Sequence, residues 1–307
     1  MDAPGHFSLA LQEPNQIAGH APWSMDFRQI SAGSGRTNVR VRSGRSLTAL
    51  ALTMEARVHQ MGEAPPGVIT LGVPKPGTVS TWLGVEMIGQ AMILFGSGQE
   101  FDGVSEAGFE GVTVSLPHAF LDGLAEDFGL DPPETLRSRG VLDLTALPKA
   151  AGMFVGKSVR FLERRHDHSV ADQEDEIGLS LLLASASKRV MEGRASSRLR
   201  DRALPRALGI IDASLDDPPS IRALCAQSDA SWPTLHRAFV ERFGVGPKAY
   251  LTRLRLTRAR TDLLAAPRGT RVSDVANQWG FWHMGEFAGI YRKLFSRLPS
   301  QDLRSVD

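Results

Sequence analysis

Cysteine is almost absent from this chain: Cys225 is the one thiol in 307 residues, so no internal disulfide can form. That usage fits a reducing compartment, and Cys225 falls on the apolar side of a helical pattern, as a packed thiol would. No apolar run approaches the roughly 18 residues of a membrane-spanning helix, and the opening stretch MDAPGHFSLALQEPNQ lacks the charged-then-apolar order of a secretion signal. A cytoplasmic protein without membrane association is expected. Neither a phosphate-cradling glycine loop nor a dinucleotide fingerprint interrupts the sequence, and no Ser/His/Asp or Cys/His set can be placed on it. The expectation is a protein that is not an enzyme, with no catalytic residue, metal or cofactor.

A strong charge of one sign is also missing, but the net charge of +1 hides an asymmetry. Residues 1 to 200 hold 19 Lys+Arg against 23 Asp+Glu, whereas residues 201 to 307 hold 16 against 11. A positive excess on a small domain fits phosphate neutralisation, and it also occurs on ordinary solvated surfaces. The length suits about two domains, which we divide as 1–195 and 196–307.

The first domain begins with β texture. Residues 1 to about 25 carry Pro4, Pro14 and Pro22 with little periodicity and read as an irregular arm. Short alternating or β-branched runs follow (Asn38 to Arg42, Leu47 to Val58, Val68 to Val73, Trp82 to Gln90, Met92 to Phe95, Val112 to Leu116), spaced by Gly and Pro as in a sandwich or barrel. A small antiparallel barrel can hold one ligand in its mouth. Trp23, Phe27, Trp82, Met87 and Phe95 are aromatic or soft apolar residues of this half, and Trp82 and Glu86 are the candidates for binding a small ligand there; core packing would account for such residues too. From Pro117 the texture turns helical. Pro117 starts a helix with Phe120, Leu121, Leu124 and Phe128 on one face, ended by Gly129, and Leu147 to Leu162 and Glu176 to Met191 read as two more. The last carries Ile177, Leu181, Ala184 and Lys188 beside Leu182, Leu183, Ala186 and Val190. Helices apolar around this much of their circumference bury two faces, within a domain or across a homodimer seam. Gly193 to Arg202, small and charged, reads as a linker.

The second domain is helical throughout. Ala203 to Leu215 forms a first helix. Ser220 then caps Ile221 to Gln227, and Ser231 caps Trp232 to Phe243, with Pro233 in the first turn and Gly244 at the end. This is a helix-turn-helix. A second lies in Val272 to Leu298, where Val272, Val275, Ala276 and Trp279 repeat at helical intervals, Ser273 can cap, and Gly280 turns the chain into a helix starting near His283. Phe287, Ile290, Tyr291 and Leu294 share the inner face of that helix, leaving Met284, Glu286, Ala288 and Arg292 outward. A plain helical hairpin would show the same spacing. Between the two runs, Pro247 to Leu264 supplies an apolar stripe ringed by Arg253, Arg255, Arg258 and Arg260. At 1.5 Å per residue it is roughly 25 Å long, enough to hold two heads about one DNA turn apart.

Two helix-turn-helices joined by a Tyr-Leu-x-x-x-Arg-Leu-x-x-Ala-Arg helix resemble the C-terminal DNA-binding domain of the AraC/XylS family of bacterial transcription regulators. The matching positions run in order from Ala223 and Leu224 through Ser231, Leu235, Arg237, Phe239, Phe243-Gly244, Pro247, Tyr250, Arg255-Leu256 and Ala259-Arg260. They continue through Val275-Ala276, Gly280-Phe281, Phe287 and Phe295 to Pro299. The block WGFWHMGEF from Trp279 further resembles the ethanolamine-utilisation branch of that family. The resemblance implies an α+β chain: a β-rich cupin or jelly-roll-like effector and dimerisation domain with trailing helices, then an all-α domain of two helix-turn-helix motifs joined by a long helix. It also implies an activator whose partners are double-stranded promoter DNA, RNA polymerase and a small-molecule effector, with an amine such as ethanolamine as the first trial.

Carried over by position, the DNA-facing residues are Ser231, Trp232, Pro233, His236 and Arg237 in the first head, and His283, Met284, Gly285, Glu286 and Arg292 in the second. Arg237 can read guanine bidentately at roughly 1–3 kcal/mol of discrimination. The second head departs from the family pattern, with Gly285 and Gly289 where Ser and Arg are usual. Neither offers a side chain, so this head is expected to dock mainly on phosphate through His283, Arg292 and the helix N-terminus, with Glu286 able to accept from a cytosine. Two other readings stay open. The N-terminal half could bind a partner protein instead of a metabolite. Alternatively His166, Asp167 and His168 with Glu174, similar to the metal set of cupin enzymes, could make it a metalloenzyme fused to a DNA-binding tail, although they lie in a charged segment after a helix and not on a barrel strand.

Overall fold

The computed structural model describes residues 5–19, 24–130, 134–163, 170–185, 198–214 and 219–304. These group into two units, one built from 1–27 and 36–193, the other from 28–35 and 194–307.

Strand alternation sets the layers of the first unit. Its strands are β1 (His6–Leu11), β2 (Ser24–Gln29), β3 (Thr37–Ser43), β4 (Thr48–Met54), β5 (Val58–Glu63), β6 (Val68–Pro74), β7 (Val79–Trp82), β8 (Val85–Glu86), β9 (Ala91–Phe95), β10 (Glu100–Ser105), β11 (Phe109–Pro117) and β12 (Arg139–Asp143). They form a seven-stranded sheet in the order β1-β3-β4-β11-β6-β9-β12 and a five-stranded sheet in the order β2-β5-β10-β7-β8. Along β4, Ala49 and Ala51 point to one core while Leu52 and Met54 point to the other, as a period of two requires. The second core lies between the sheets, where Val39, Val41 and Met54 meet Phe27, Val58, Trp82 and Phe101. The first lies on the other face of the larger sheet, where Ile69, Leu71, Val114 and Leu116 pack beneath α1 (His118–Asp127), α2 (Pro148–Glu163) and α3 (Val170–Ser185). This is a β-rich, jelly-roll-like domain with helices behind it.

Several sequence expectations change here. The N-terminal arm is not irregular: HFSLAL pairs with β3 as an edge strand, and Pro14–Gly19 is a 3-10 helix. Leu47 to Val58 is two strands, because Glu55 and Ala56 bend the chain between β4 and β5. Helix α3 starts at Val170, six residues before the expected start, and residues 186–191 of the expected helix lie outside the described residues, as do Trp23 and His166 to His168. Its wide apolar girth has an explanation within the domain. Ile177, Leu181 and Ala184 are buried, α2 packs along one side, and Gly178 lets Leu124 and Phe120 of α1 close on the other.

The second unit consists of α4 (Arg198–Ala213), α5 (Ile221–Gln227), α6 (Trp232–Phe243), α7 (Pro247–Ala265), α8 (Val272–Gln278), α9 (Met284–Phe295) and α10 (Pro299–Arg304). Residues 198–202, read above as linker, are the first turns of α4. Segment 28–35 completes the unit through Gly33, whose N–H donates to the Leu294 carbonyl at 2.8 Å. No helix of the described residues is long and apolar enough to cross a membrane.

Candidate nucleic-acid interface and ligand cavity

Caps define the first head. Ser220 is extended (φ −63°, ψ 155°) and its hydroxyl accepts the Ala223 N–H at 3.2 Å, opening α5. Ser231 repeats this for α6, accepting the Thr234 N–H at 3.4 Å, and Gly244 closes α6 in the left-handed region (φ 73°). Each such cap contributes about 1 kcal/mol. Leu235, Ala238, Phe239 and Phe243 face inward, and Tyr250 of α7 packs on Phe239 and Phe243 with ring centroids 5.3 and 4.7 Å apart. The helical period then places Trp232, Pro233, His236, Arg237 and Val240 on the exposed face. Trp232 and His236 form a pair (centroids 5.3 Å), and the imidazole lies so close to Gly246 that a Cβ there would sit 2.8 Å from Nε2. His236 is thus braced against the start of α7, while Arg237 extends beside it.

The second head is capped differently from expectation. Arg271, not Ser273, is the N-cap of α8, and the Ser273 hydroxyl turns to the Asp274 carboxylate at 3.3 Å. Gly280 (φ 76°) makes the turn, and His283 is the N-cap of α9, spending no side-chain bond on the helix. Phe287, Tyr291, Leu294 and Phe295 form the buried face. His283, Gly285, Glu286 and Arg292 are exposed, whereas Met284 is half-buried against the head's own core. A Cβ at Gly285 or Gly289 would meet nothing within 4 Å, so packing does not demand these glycines. Trp282 was not singled out by spacing. It is 72% exposed, just ahead of α9, much as Trp232 stands at the start of α6.

Helix α7 ties the heads together. Trp279 Nε1 donates to Asp262 at 2.7 Å, fixing the end of α8 to α7. Arg260 is not part of a solvent-facing ring: it is 1% exposed, donates to Asp302 at 3.1 Å and stacks 4.7 Å over Phe295. Its partner residue Asp302 lies 42 residues on, in α10, and also accepts the Tyr291 hydroxyl at 2.7 Å. At 19 residues, α7 runs about 28 Å.

The first unit contains a cavity of about 530 Å³ between its two sheets, within the usual size range of small-molecule sites. Trp82 lines it; Glu86 is exposed on β8 and does not. Trp82 stacks on Phe101 (centroids 5.6 Å, planes 10° apart) and meets Phe95 edge-on at 5.3 Å. The β3–β4 turn at the rim is held from behind by Glu174, which is 2% exposed and accepts the Ser46 and Leu47 N–H groups at 3.0 and 3.1 Å. Its carboxylate is therefore engaged in clamping a turn, which removes Glu174 from the metal set considered above. Among the described residues no cluster of three His, Cys, Asp or Glu could hold a metal.

Comparison with known proteins places this arrangement. Residues 224–305 match a family described as "Helix-turn-helix domain". The chain is 35% identical to the probable thc operon regulatory protein of Rhodococcus erythropolis over 101 residues, which are 33% of this chain and 30% of that protein. It is 31% identical to the XylDLEGF operon transcriptional activator of Pseudomonas putida over 100 residues, 32% of this chain and 31% of that one. The chain thus spans about 30% of the length of these relatives. A crystal structure of the AraC-like transcriptional activator CuxR aligns over 84% of this chain and 96% of its own at 15% identity, with a TM-score of 0.44, too loose to carry a functional argument. Over residues 224–305 the chain thus carries a helix-turn-helix domain, and across about 100 residues it is similar to these operon regulators.

Proposed function

We propose that the protein is a sequence-specific DNA-binding transcription activator, gated by a small molecule held between the sheets of its first unit and acting as a homodimer. The observation that carries this is the pair of heads on one connecting helix. α6 and α9 each present an exposed face after a tight turn, and α7 is bolted to the second head through Trp279–Asp262 and Arg260–Asp302. In this reading α6 and α9 enter successive major grooves about 34 Å apart. Arg237 reads a guanine edge. His283, Arg292 and the first-turn N–H groups of α9 hold phosphate, and Glu286 meets a cytosine amino group. Ser231 acts by capping α6 and Pro233 by starting it. Trp232 and Trp282, both exposed, lay their indoles against the sugar-phosphate backbone at the two helix starts.

The relatives over this segment, an operon regulatory protein and an operon activator, support the regulatory role. Promoter DNA, RNA polymerase and a second copy of the chain are the partners of this reading. It is tested by mapping genomic occupancy in cells. Discrete promoter-proximal sites, with transcription of the adjacent genes lost on deletion, are expected. Occupancy without sequence preference would count against it, and a protein co-purifying in place of any ligand response would favour gating by a protein partner.

A further inference from the structure

We infer that the cavity takes an uncharged ligand with an apolar body and one carbonyl-type acceptor, a ketone, ester, lactone or amide, and that Gln60 and Trp82 bind that oxygen. This rests on the effector reading above and names the chemistry of that site.

The inference starts from a row across the five-stranded sheet. In its register, Gly103 of β10 stands directly beside Gln60 of β5 on one side and Trp82 of β7 on the other. A Cβ at Gly103 would lie 2.0 Å from Cε3 of Trp82, so the absence of a side chain lets the benzo edge of the indole lie over β10. Gln60 and Trp82 thus stand on the same face of the sheet, two strand spacings or about 10 Å apart, a gap that a ligand seated over Gly103 would occupy.

Both side chains line the cavity and both are more than nine-tenths buried, Trp82 at 2% and Gln60 at 7% exposure. Trp82 Nε1 and Gln60 Nε2 nevertheless have no hydrogen-bond partner among the described residues. An orphaned buried donor costs about 1–3 kcal/mol, so two of them on one wall mark a place where an acceptor belongs. Both are N–H donors, and an indole can only donate.

The rest of the lining sets the ligand's other properties. Phe95, Phe101, Phe109 and Ile93 supply apolar and aromatic wall. The described lining includes no aspartate or glutamate, so an ammonium group would enter without a counter-charge. This turns the reading away from an amine effector. Arg45 is the lining's one cation and is exposed on the rim turn, so a carboxylate placed against the two donors would be buried without a charged partner.

The test uses the full chain and four probes of similar carbon skeleton: benzylacetone, the corresponding amine, butylbenzene and hydrocinnamate. Calorimetric titration should rank benzylacetone first, roughly three- to tenfold tighter than butylbenzene, the preference expected of a neutral hydrogen bond. Trp82→Phe, which keeps the ring stack but removes the N–H, and separately Gln60→Leu, should each reduce that preference to below about twofold while leaving butylbenzene binding unchanged. The second variant covers the case in which the first does not fold. An amine or carboxylate binding as tightly as the ketone, a preference that survives both substitutions, or no binding by any of the four would overturn the inference. Promoter affinity, measured in the same samples, separates it from the gating reading. Ketone binding in the expected rank with unchanged DNA affinity removes the gating and keeps the ligand class. An amine that fills the cavity and shifts DNA affinity does the reverse.

Discussion

Asp302→Ala should melt the second head well before the rest of the chain. The carboxylate is fully buried and accepts from Arg260 Nε at 3.1 Å and the Tyr291 hydroxyl at 2.7 Å, with Arg297 Nε 2.7 Å from its other oxygen. Truncation leaves the Arg260 guanidinium, 1% exposed, without its counter-charge. Breaking a buried pair from one side costs about 3–5 kcal/mol. Arg260 keeps a hydrogen bond to the Ser34 carbonyl at 3.1 Å and the face of Phe295, which places the loss near the lower end, about 3 kcal/mol. For small domains each kcal/mol shifts the midpoint by roughly 4 °C or more, so a drop of about 12 °C is expected in the transition that DNA stabilises. Scanning calorimetry of the full chain with and without DNA reads it. Replacing both partners, Arg260→Met with Asp302→Leu, should recover most of the loss, because neither charge is then buried alone. A single-variant shift below about 3 °C, or a double variant no better than the single, would refute the reasoning.

Other expectations follow from the same surfaces. Arg237→Ala should flatten base preference at one position of the binding site, losing about 1–3 kcal/mol on the preferred sequence only, as titrations against single-base operator variants would show. Arg292→Ala should weaken binding alike on all sequences and reduce the salt slope of log K by about one; a sequence-selective loss would reverse the roles assigned to the two heads. Gly285→Ala and Gly289→Ala have open space for the added methyl, so each should stabilise α9 by about 0.5–1 kcal/mol in denaturant melts. If they also weaken DNA binding, the glycines serve close approach of backbone to phosphate; unchanged affinity would remove that role. Gly103→Ala should displace the Trp82 ring, 2.0 Å from the new Cβ, and abolish benzylacetone binding in the titration described above.

How far the sequence spoke depended on how local each signal was. Ser220 and Ser231 were readable as caps because their partners lie three residues on, and the burial of Phe287, Tyr291 and Leu294 follows from helical spacing alone. Ser273 misled, since Arg271 two residues earlier holds the capping conformation and the hydroxyl finds Asp274. Arg260 looked like one more solvent-facing arginine because Asp302, which buries it, is 42 residues away. Glu174 likewise suggested a ligand next to two histidines until the turn at Ser46 and Leu47, more than 120 residues upstream, proved to be its partner. The edge strand β1 is half-exposed along its length, so HFSLAL lacks the apolar weight that marks β4 or β6. Nothing in the local pattern separates Trp82 in a cavity wall from Trp82 in a core. Only the register through Gly103, which joins three strands, makes that distinction.

The central claim, one bipartite reader built on α7, is tested most directly by hydroxyl-radical footprinting of the full chain on DNA selected from a random pool. Two protected segments on one face of the duplex, centred about one helical turn (~34 Å) apart, with base preference concentrated in the segment lost on Arg237→Ala, are expected. A single protected segment, or two whose preferences both survive that substitution, would contradict it.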